Sequence, residues 1–268
     1  MARLGVIGTL GVIGTLGVIG TGHFAAYFIA ALRRGGYDGD ILLSPRNASV
    51  AARVAREHRC RVAASNDDVL DDADVILLSV RPQHVNKAVT TLNWGSRHIV
   101  LSAMAGIEVD RLRVLLPGVG AIHRIMPSSY IEAVRGPIPL YPEAPSLLPL
   151  LACAGDVVVL PDEPAFEVAM IASCFSTWMY DLADAVTDEL FRHGLDPATA
   201  RALTLGNMSG AAGFALTNPL QSLATISSDI ATEGTFTKLG LDHLKGRTFE
   251  APWREAIALL SAKLQEAG

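Results

Sequence analysis

The chain has 268 residues, with 22 Lys plus Arg against 27 Asp plus Glu and a formal net charge of -5; its pI is near 5.8 and its mean hydropathy +0.33. With 50% of residues hydrophobic and 18% charged, intrinsic disorder is excluded, and the acidic balance leaves no basic field to hold a nucleic-acid backbone. The length predicts about two domains. Cys60, Cys153 and Cys174 show no C-x-x-C spacing, so no metal or redox centre is expected and a reducing, cytoplasmic setting is.

Leu-Gly-Val-Ile-Gly-Thr occurs three times in succession, at Leu4 to Thr9, Leu10 to Thr15 and Leu16 to Thr21. No charged side chain lies between Leu4 and Leu32, a run long enough to span a bilayer, and Arg3 ahead of it imitates a signal peptide. Against both stand seven glycines from Gly5 to Gly22, each weakening a helix by up to about 1 kcal/mol relative to Ala, and a period that matches no helical repeat. No membrane association is expected. The short, apolar, β-branched segment reads instead as a buried parallel strand. Only the third copy runs into Gly22-His23-Phe24-Ala25, so it is assigned the strand and the first two copies a duplication without function.

Gly20-Thr21-Gly22-His23-Phe24-Ala25 fits G-x-G-x-x-A between that strand and a helical pattern from Phe24 to Leu32. Gly20 permits the tight turn, Gly22 lets backbone N–H groups approach a pyrophosphate, and Ala25 lets helix and strand pack closely. The competing reading is a glycine-rich turn without a ligand. Asp40 to Ser44 reads as a second strand, after which an NAD enzyme would place an acid for the ribose 2′-hydroxyl. The chain has Ser44-Pro45-Arg46-Asn47 instead. Ser44, Arg46 and Asn47 suit a 2′-phosphate, so NADPH is the expected cofactor; the alternative is a polar loop with a solvated Arg.

Apolar strands follow at Val75 to Val80, His98 to Ser102 and Ala121 to Met126, separated by helical stretches such as Val50 to His58 and His84 to Leu92. The economical topology is an α/β, Rossmann-type doubly wound sheet, in which ligands bind beyond the carboxyl ends of the strands. That rule points to Val80, Arg81, Pro82 and Ala105 as further cofactor-binding positions, and to the turn Pro127-Ser128-Ser129. Val157 to Leu160 is the last short strand. Helices then run from Ala165 to Arg192, Ala198 to Leu216 and Trp253 to Leu264, which gives a dinucleotide-binding domain over 1–160 and an all-α domain over 161–268.

Gly20 to Ala25, Arg81-Pro82-Gln83, Ala105-Gly106-Ile107 and Arg124-Ile125-Met126-Pro127 occur in an order and spacing that resemble the pyrroline-5-carboxylate reductase family. His193-Gly194-Leu195, Ala200 to Gly213 and Gly240-Leu241 extend the likeness through the second half, covering Leu16 to Leu264. The resemblance implies an all-α dimerisation domain, a homodimer, and hydride transfer from NADPH to a C=N bond in proline biosynthesis. It also implies that the family's Ser-Pro-Gly-Gly-Thr-Thr loop, Thr232 to Thr237 here, holds the substrate carboxylate at a helix N-terminus. Gly234, Thr235 and Thr237 are thereby candidate substrate ligands, and Thr237, Thr232 and Ser176 candidate catalytic residues.

The departures bear on substrate. Ser128-Ser129 replaces the family's Asn-Thr, and Ala172-Ser173-Cys174-Phe175-Ser176-Thr177-Trp178 replaces its Ser-Gly-Ser-Gly-Pro-Ala-Tyr. Phe175 and Trp178, in a segment that faces the active site in the family, would favour a more apolar imine. Glu233 either points inward, repelling a carboxylate and favouring a cationic amine, or caps the helix, and the whole loop can be read as a cap. No two histidines have metal-ligand spacing; His123 reads as a core residue, and Asp181, Asp184, Asp188 and Glu189 as solvated helix surface. Two alternatives stand beside the expected activity: reduction of a different imine, and a catalytically silent NADP-binding protein that acts by partner contact.

Overall fold

Leu16, Val18 and Ile19 have no solvent exposure, as expected of a strand covered on both faces, and each such side chain contributes about 1.5–3 kcal/mol on burial. The structure, a computed structural model, describes residues 14–267. The first copy of the hexapeptide and all of the second but Gly14 and Thr15 lie outside the described residues. The third copy forms β1 (Leu16–Ile19), followed by α1 (His23–Arg34), β2 (Ile41–Leu43), α2 (Ala48–His58), β3 (Arg61–Val62), α3 (Asn66–Asp72) and β4 (Val75–Leu78). Then come α4 (Val85–Val89), β5 (Ile99–Ser102), α5 (Val109–Leu115), β6 (Ala121–Ile125), β7 (Pro137–Tyr141), α6 (Leu148–Ala154) and β8 (Asp156–Val159).

The strands form one eight-stranded sheet in the order β3-β2-β1-β4-β5-β6-β7-β8. All neighbours are parallel except β6 and β7. The order reverses at β1, flanked by β2 and β4 in registers Leu16 to Ile41 and Leu16 to Val75. This switch point is where a doubly wound sheet opens its binding crevice. Gly17 matters here, because a Cβ on it would lie 2.7–2.9 Å from Ile76, Val69 and Ala73; its absence lets α3 close on the sheet. Two apolar clusters cover the two faces, one built around Phe28, Leu32 and Leu151, the other around Val69, Leu112 and Leu116.

β3 and β7 were not expected from the sequence. β3 is two exposed residues, Arg61 and Val62, and β7 begins and continues with Pro137 and Pro139, residues that argue against a strand unless it lies near a sheet edge. Beyond the sheet the chain is helical: α7 (Glu163–Arg192), α8 (Pro197–Thr217), α9 (Leu223–Ile230), α10 (Phe236–Lys245) and α11 (Ala251–Ala267). Two compact units are present, one reaching Ser173 and the other spanning Cys174–Lys263. The division thus falls inside α7, whereas the sequence boundary at residue 160 precedes it. Among the described residues no helix is long and apolar enough to cross a membrane, and no group of three or more His, Cys, Asp or Glu is placed to hold a metal ion.

Candidate active site

The turn from β1 into α1 is held by three hydroxyl side chains. Ser44 Oγ, directly after β2, accepts hydrogen bonds from Gly20 N at 3.0 Å and Thr21 N at 3.3 Å. Thr21 Oγ1 donates to the Ser44 carbonyl at 3.0 Å and lies 3.1 Å from Ser44 Oγ. Ser79 Oγ, after β4, donates to Gly20 O at 3.0 Å. Gly20 has φ +101°, and a Cβ there would meet the Ser79 backbone at 2.7 Å, so only glycine fits.

This clasp leaves the first turn of α1 open. Gly22 is its N-cap, makes no side-chain cap hydrogen bond, and no acidic residue sits in the first turn. Ala26 N is the first to bond back, to Gly22 O. The N–H groups of His23, Phe24 and Ala25 therefore have no helical acceptor, and the helix dipole makes their position favourable for an anion.

These N–H groups border a cavity of about 630 Å³ at the carboxyl ends of the central strands. Of the residues expected to bind a dinucleotide, Gly20, Thr21, Gly22, His23, Phe24, Arg46, Asn47, Val80, Arg81, Pro82 and Ala105 line it. Ala25 lies beneath, fully buried, where helix packs on strand. Ser44 is a correction: it is fully buried, and both N–H groups that it accepts belong to the loop, so its hydroxyl builds the turn instead of facing a ribose phosphate. Ser79, His84, Ala103 and Met104 also line the cavity without having been singled out. Their positions after β4 and β5 were the available signal; their side-chain types carried none.

A second arrangement surrounds β6. Arg124 is 0% exposed, with Nη1 2.6 Å from a carboxylate oxygen of both Glu163 and Glu167, whose side chains are 18% and 20% exposed. The Phe166 ring lies 4.6 Å from its guanidinium carbon, and Val109 N donates to Glu163 Oε1 at 2.9 Å. Just beyond, Ser173 Oγ donates to Met126 O at 3.0 Å, Ser128 Oγ to Ser173 O at 3.1 Å, and the Tyr27 hydroxyl to Pro127 O at 3.3 Å. The Arg-Ile-Met-Pro segment is thus braced by α7 and α1. Burial pushes the Tyr27 phenol well above its ordinary pKa, so it remains a hydrogen-bond donor. His123 donates from Nδ1 to Pro142 O at 3.0 Å, and burial lowers its pKa, a partly buried neutral imidazole without a metal.

Within the second unit, Thr235 is the N-cap of α10: its hydroxyl accepts from Lys238 N at 3.1 Å and donates to Thr232 O at 2.7 Å. Both capacities of that side chain are spent on the helix start, which corrects its expected role as a substrate ligand and makes Thr235, not Glu233, the cap. Thr232, Glu233, Gly234 and Thr237 are exposed, and Ser176 is half-buried on α7. All belong to the second unit, and the cavity of the first unit is lined without them. Phe236, at the first position of α10, is 93% exposed. Phe175 and Trp178 pack with Trp253 at ring-centroid distances of 5.9 and 6.2 Å, joined by Phe249 at 6.3 Å. With the Gly-Pro pair absent, α7 runs unbroken through this segment.

Residues 15–106 match the family described as NADP oxidoreductase, coenzyme F420-dependent, and residues 166–267 that described as pyrroline-5-carboxylate reductase dimerisation. A pyrroline-5-carboxylate reductase of Haemophilus influenzae is 28% identical over 258 residues, 91% of this chain and 94% of that protein. The chain belongs to the pyrroline-5-carboxylate reductase family. The fold agrees: the structure of the Coxiella burnetii pyrroline-5-carboxylate reductase superposes with a TM-score of 0.82 at 19% identity, covering 96% of this chain and 99% of that one. The Plasmodium falciparum pyrroline carboxylate reductase with NADP bound gives 0.83 at 15% identity, covering 95% and 98%. This family member keeps the nucleotide-loop glycines and differs at the capped α10 loop and at the aromatic packing on α7.

Proposed function

We propose that the chain is an NADPH-dependent reductase that transfers hydride to the carbon of a C=N bond, with a pyrroline-5-carboxylate-type imine as substrate and proline biosynthesis as its role, and that it works as a homodimer in the cytoplasm. The observation that carries this reading is the 630 Å³ cavity, where an open helix N-terminus meets Arg46 and Arg81 and no acidic side chain lines the wall. A bare ribose diol calls for an acid; a 2′-phosphate calls for a guanidinium. Bound there, NADPH supplies the hydride.

The protein's part is binding and orientation. The N–H groups of His23, Phe24 and Ala25 take the pyrophosphate, and Arg46 with Asn47 takes the 2′-phosphate. Thr237, Thr232 and the N–H groups around Gly234 hold the substrate's carboxylate, with Ser176 a further hydroxyl for the imine. The homodimer is supported by the exposed Leu216, Leu220, Leu223 and Leu239 of the helical unit, far more apolar surface than an isolated unit leaves wet. The capped Thr235, exposed Phe236 and four-ring cluster favour a second reading, the reduction of a more apolar imine.

Purified protein assayed with NADPH or NADH against pyrroline-5-carboxylate and the uncharged 1-pyrroline separates these readings. Arg46→Ala should weaken NADPH by roughly 1.5–3 kcal/mol and leave NADH alone. Thr237→Ala should raise KM for the carboxylated imine without changing NADPH affinity. Equal losses for both cofactors would overturn the phosphate assignment, and tight NADPH binding without turnover on either imine would leave a nucleotide-binding partner protein.

A further inference from the structure

A second cavity, of about 300 Å³, is lined by α1, α2 and the 3-10 turn Ser129–Glu132. Ala26, Ala30 and the Tyr27 ring give it apolar surface, and Arg53, Glu57 and Glu132 are the charged side chains on its wall, beside His23 and His58. Arg53 is paired with Glu57 at 2.9 Å. Burial lowers the His58 pKa, which favours the neutral imidazole. Among the described residues the Glu132 carboxylate has neither a hydrogen bond nor an ion pair, so the wall carries one uncompensated negative charge over an aliphatic surface.

We propose that this cavity is a second ligand site, for a small organic ammonium ion with a short aliphatic stem, the ammonium against Glu132 and the stem along Ala26 and Ala30. Size and charge select that class: the volume admits a molecule of a few heavy atoms, and a carboxylate-bearing ligand would meet Glu132 with like charge.

The site adjoins the machinery on two sides. His23 lines both cavities, and the Tyr27 ring stands edge-on to it at 5.6 Å while its hydroxyl holds Pro127 O. An ammonium ion there adds positive charge beside the first turn of α1 and so strengthens the binding of an anionic nucleotide, and by reciprocity the nucleotide strengthens ammonium binding by the same factor. This coupling rests on the nucleotide reading above; occupancy of the second cavity does not.

The test is a calorimetric titration of n-butylammonium chloride into the full chain without cofactor, with sodium butyrate as the charge-reversed control. Wild-type protein should bind the amine and not butyrate. Glu132→Gln, which removes the charge at an exposed position, and Ala30→Leu, which fills the cavity, should each weaken the amine at least tenfold while keeping the wild-type melting temperature. Repeated titrations of NADPH should show about two- to fivefold tighter binding in the presence of the amine, in wild type alone. No amine binding by wild type, or equal affinity in both variants, overturns the site. Amine binding that follows this pattern in a protein that fails to bind NADPH would uphold the site and count against the nucleotide reading.

Discussion

Ser44→Ala separates a hydroxyl that builds the phosphate loop from one that touches the ligand. Ser44 is fully buried, and its Oγ accepts from Gly20 N at 3.0 Å and Thr21 N at 3.3 Å. Alanine leaves both donors without an acceptor in a site that excludes water. At about 1–3 kcal/mol for each buried group left unpaired, with the longer bond toward the low end, the loss of stability is about 2–4 kcal/mol. The loop then samples turns that no longer present the first N–H groups of α1 together, so NADPH and NADH should both weaken, by a common factor of about ten. Urea unfolding reads the stability, and quenching of protein fluorescence on titration with each nucleotide reads the affinity. Unchanged stability together with weakened NADPH and intact NADH would refute the reasoning, because that pattern belongs to a side chain bonded to the 2′-phosphate.

Gly22→Val tests the anion site from the other side: a Cβ on Gly22 has its nearest neighbour, Gly20 O, 3.9 Å away, so the variant should fold normally yet lose about a hundredfold or more in NADPH affinity, because the side chain enters the space of the pyrophosphate. Wild-type affinity in that variant would move the anion elsewhere. Arg124→Leu strands the partly buried carboxylates of Glu163 and Glu167 and should cost about 3–5 kcal/mol in urea unfolding, part of it recovered when both glutamates become glutamine; a loss under about 1 kcal/mol would mean that the cluster does not brace β6. His98 provides the pH test. It accepts from Gly95 N through Nδ1 at 2.9 Å, donates from Nε2 to Leu70 O at 3.1 Å, and burial lowers its pKa below 6.5. The unfolded chain then takes up the proton first, so the stabilisation is complete above about 6.5 and declines as pH falls toward the folded pKa. The urea midpoint of wild type should drop across that range, and that of His98→Gln should drop less; parallel curves would exclude His98 as the titrating group.

The sheet and the nucleotide loop were legible in the sequence because their signals are local. A buried parallel strand shows as a short β-branched run, and Gly20, Gly22 and Ala25 are demanded by backbone geometry within six consecutive positions. The strands at Ile41, Val75, Ile99 and Ala121 lie where the apolar runs predict them. β3 and β7 were not legible, because a two-residue exposed strand carries no periodicity and prolines speak against a strand whose position near a sheet edge is known only once the sheet has assembled. What only tertiary structure decided was the use of each polar side chain. Ser44 and Arg46 are two positions apart and equally plausible as phosphate ligands; the direction of the chain leaving β2 turns one under the loop and the other onto the cavity wall. Thr235 likewise reads as a ligand until its hydroxyl is seen to close the start of α10. Arg124 looks like one member of a motif, and only the packing of α7 on β6 supplies its two carboxylates, which lie 39 and 43 residues further along the chain. A hydroxyl or guanidinium has the same letter whether it faces a ligand or the protein, and which one it faces is set by neighbours that sequence distance does not reveal.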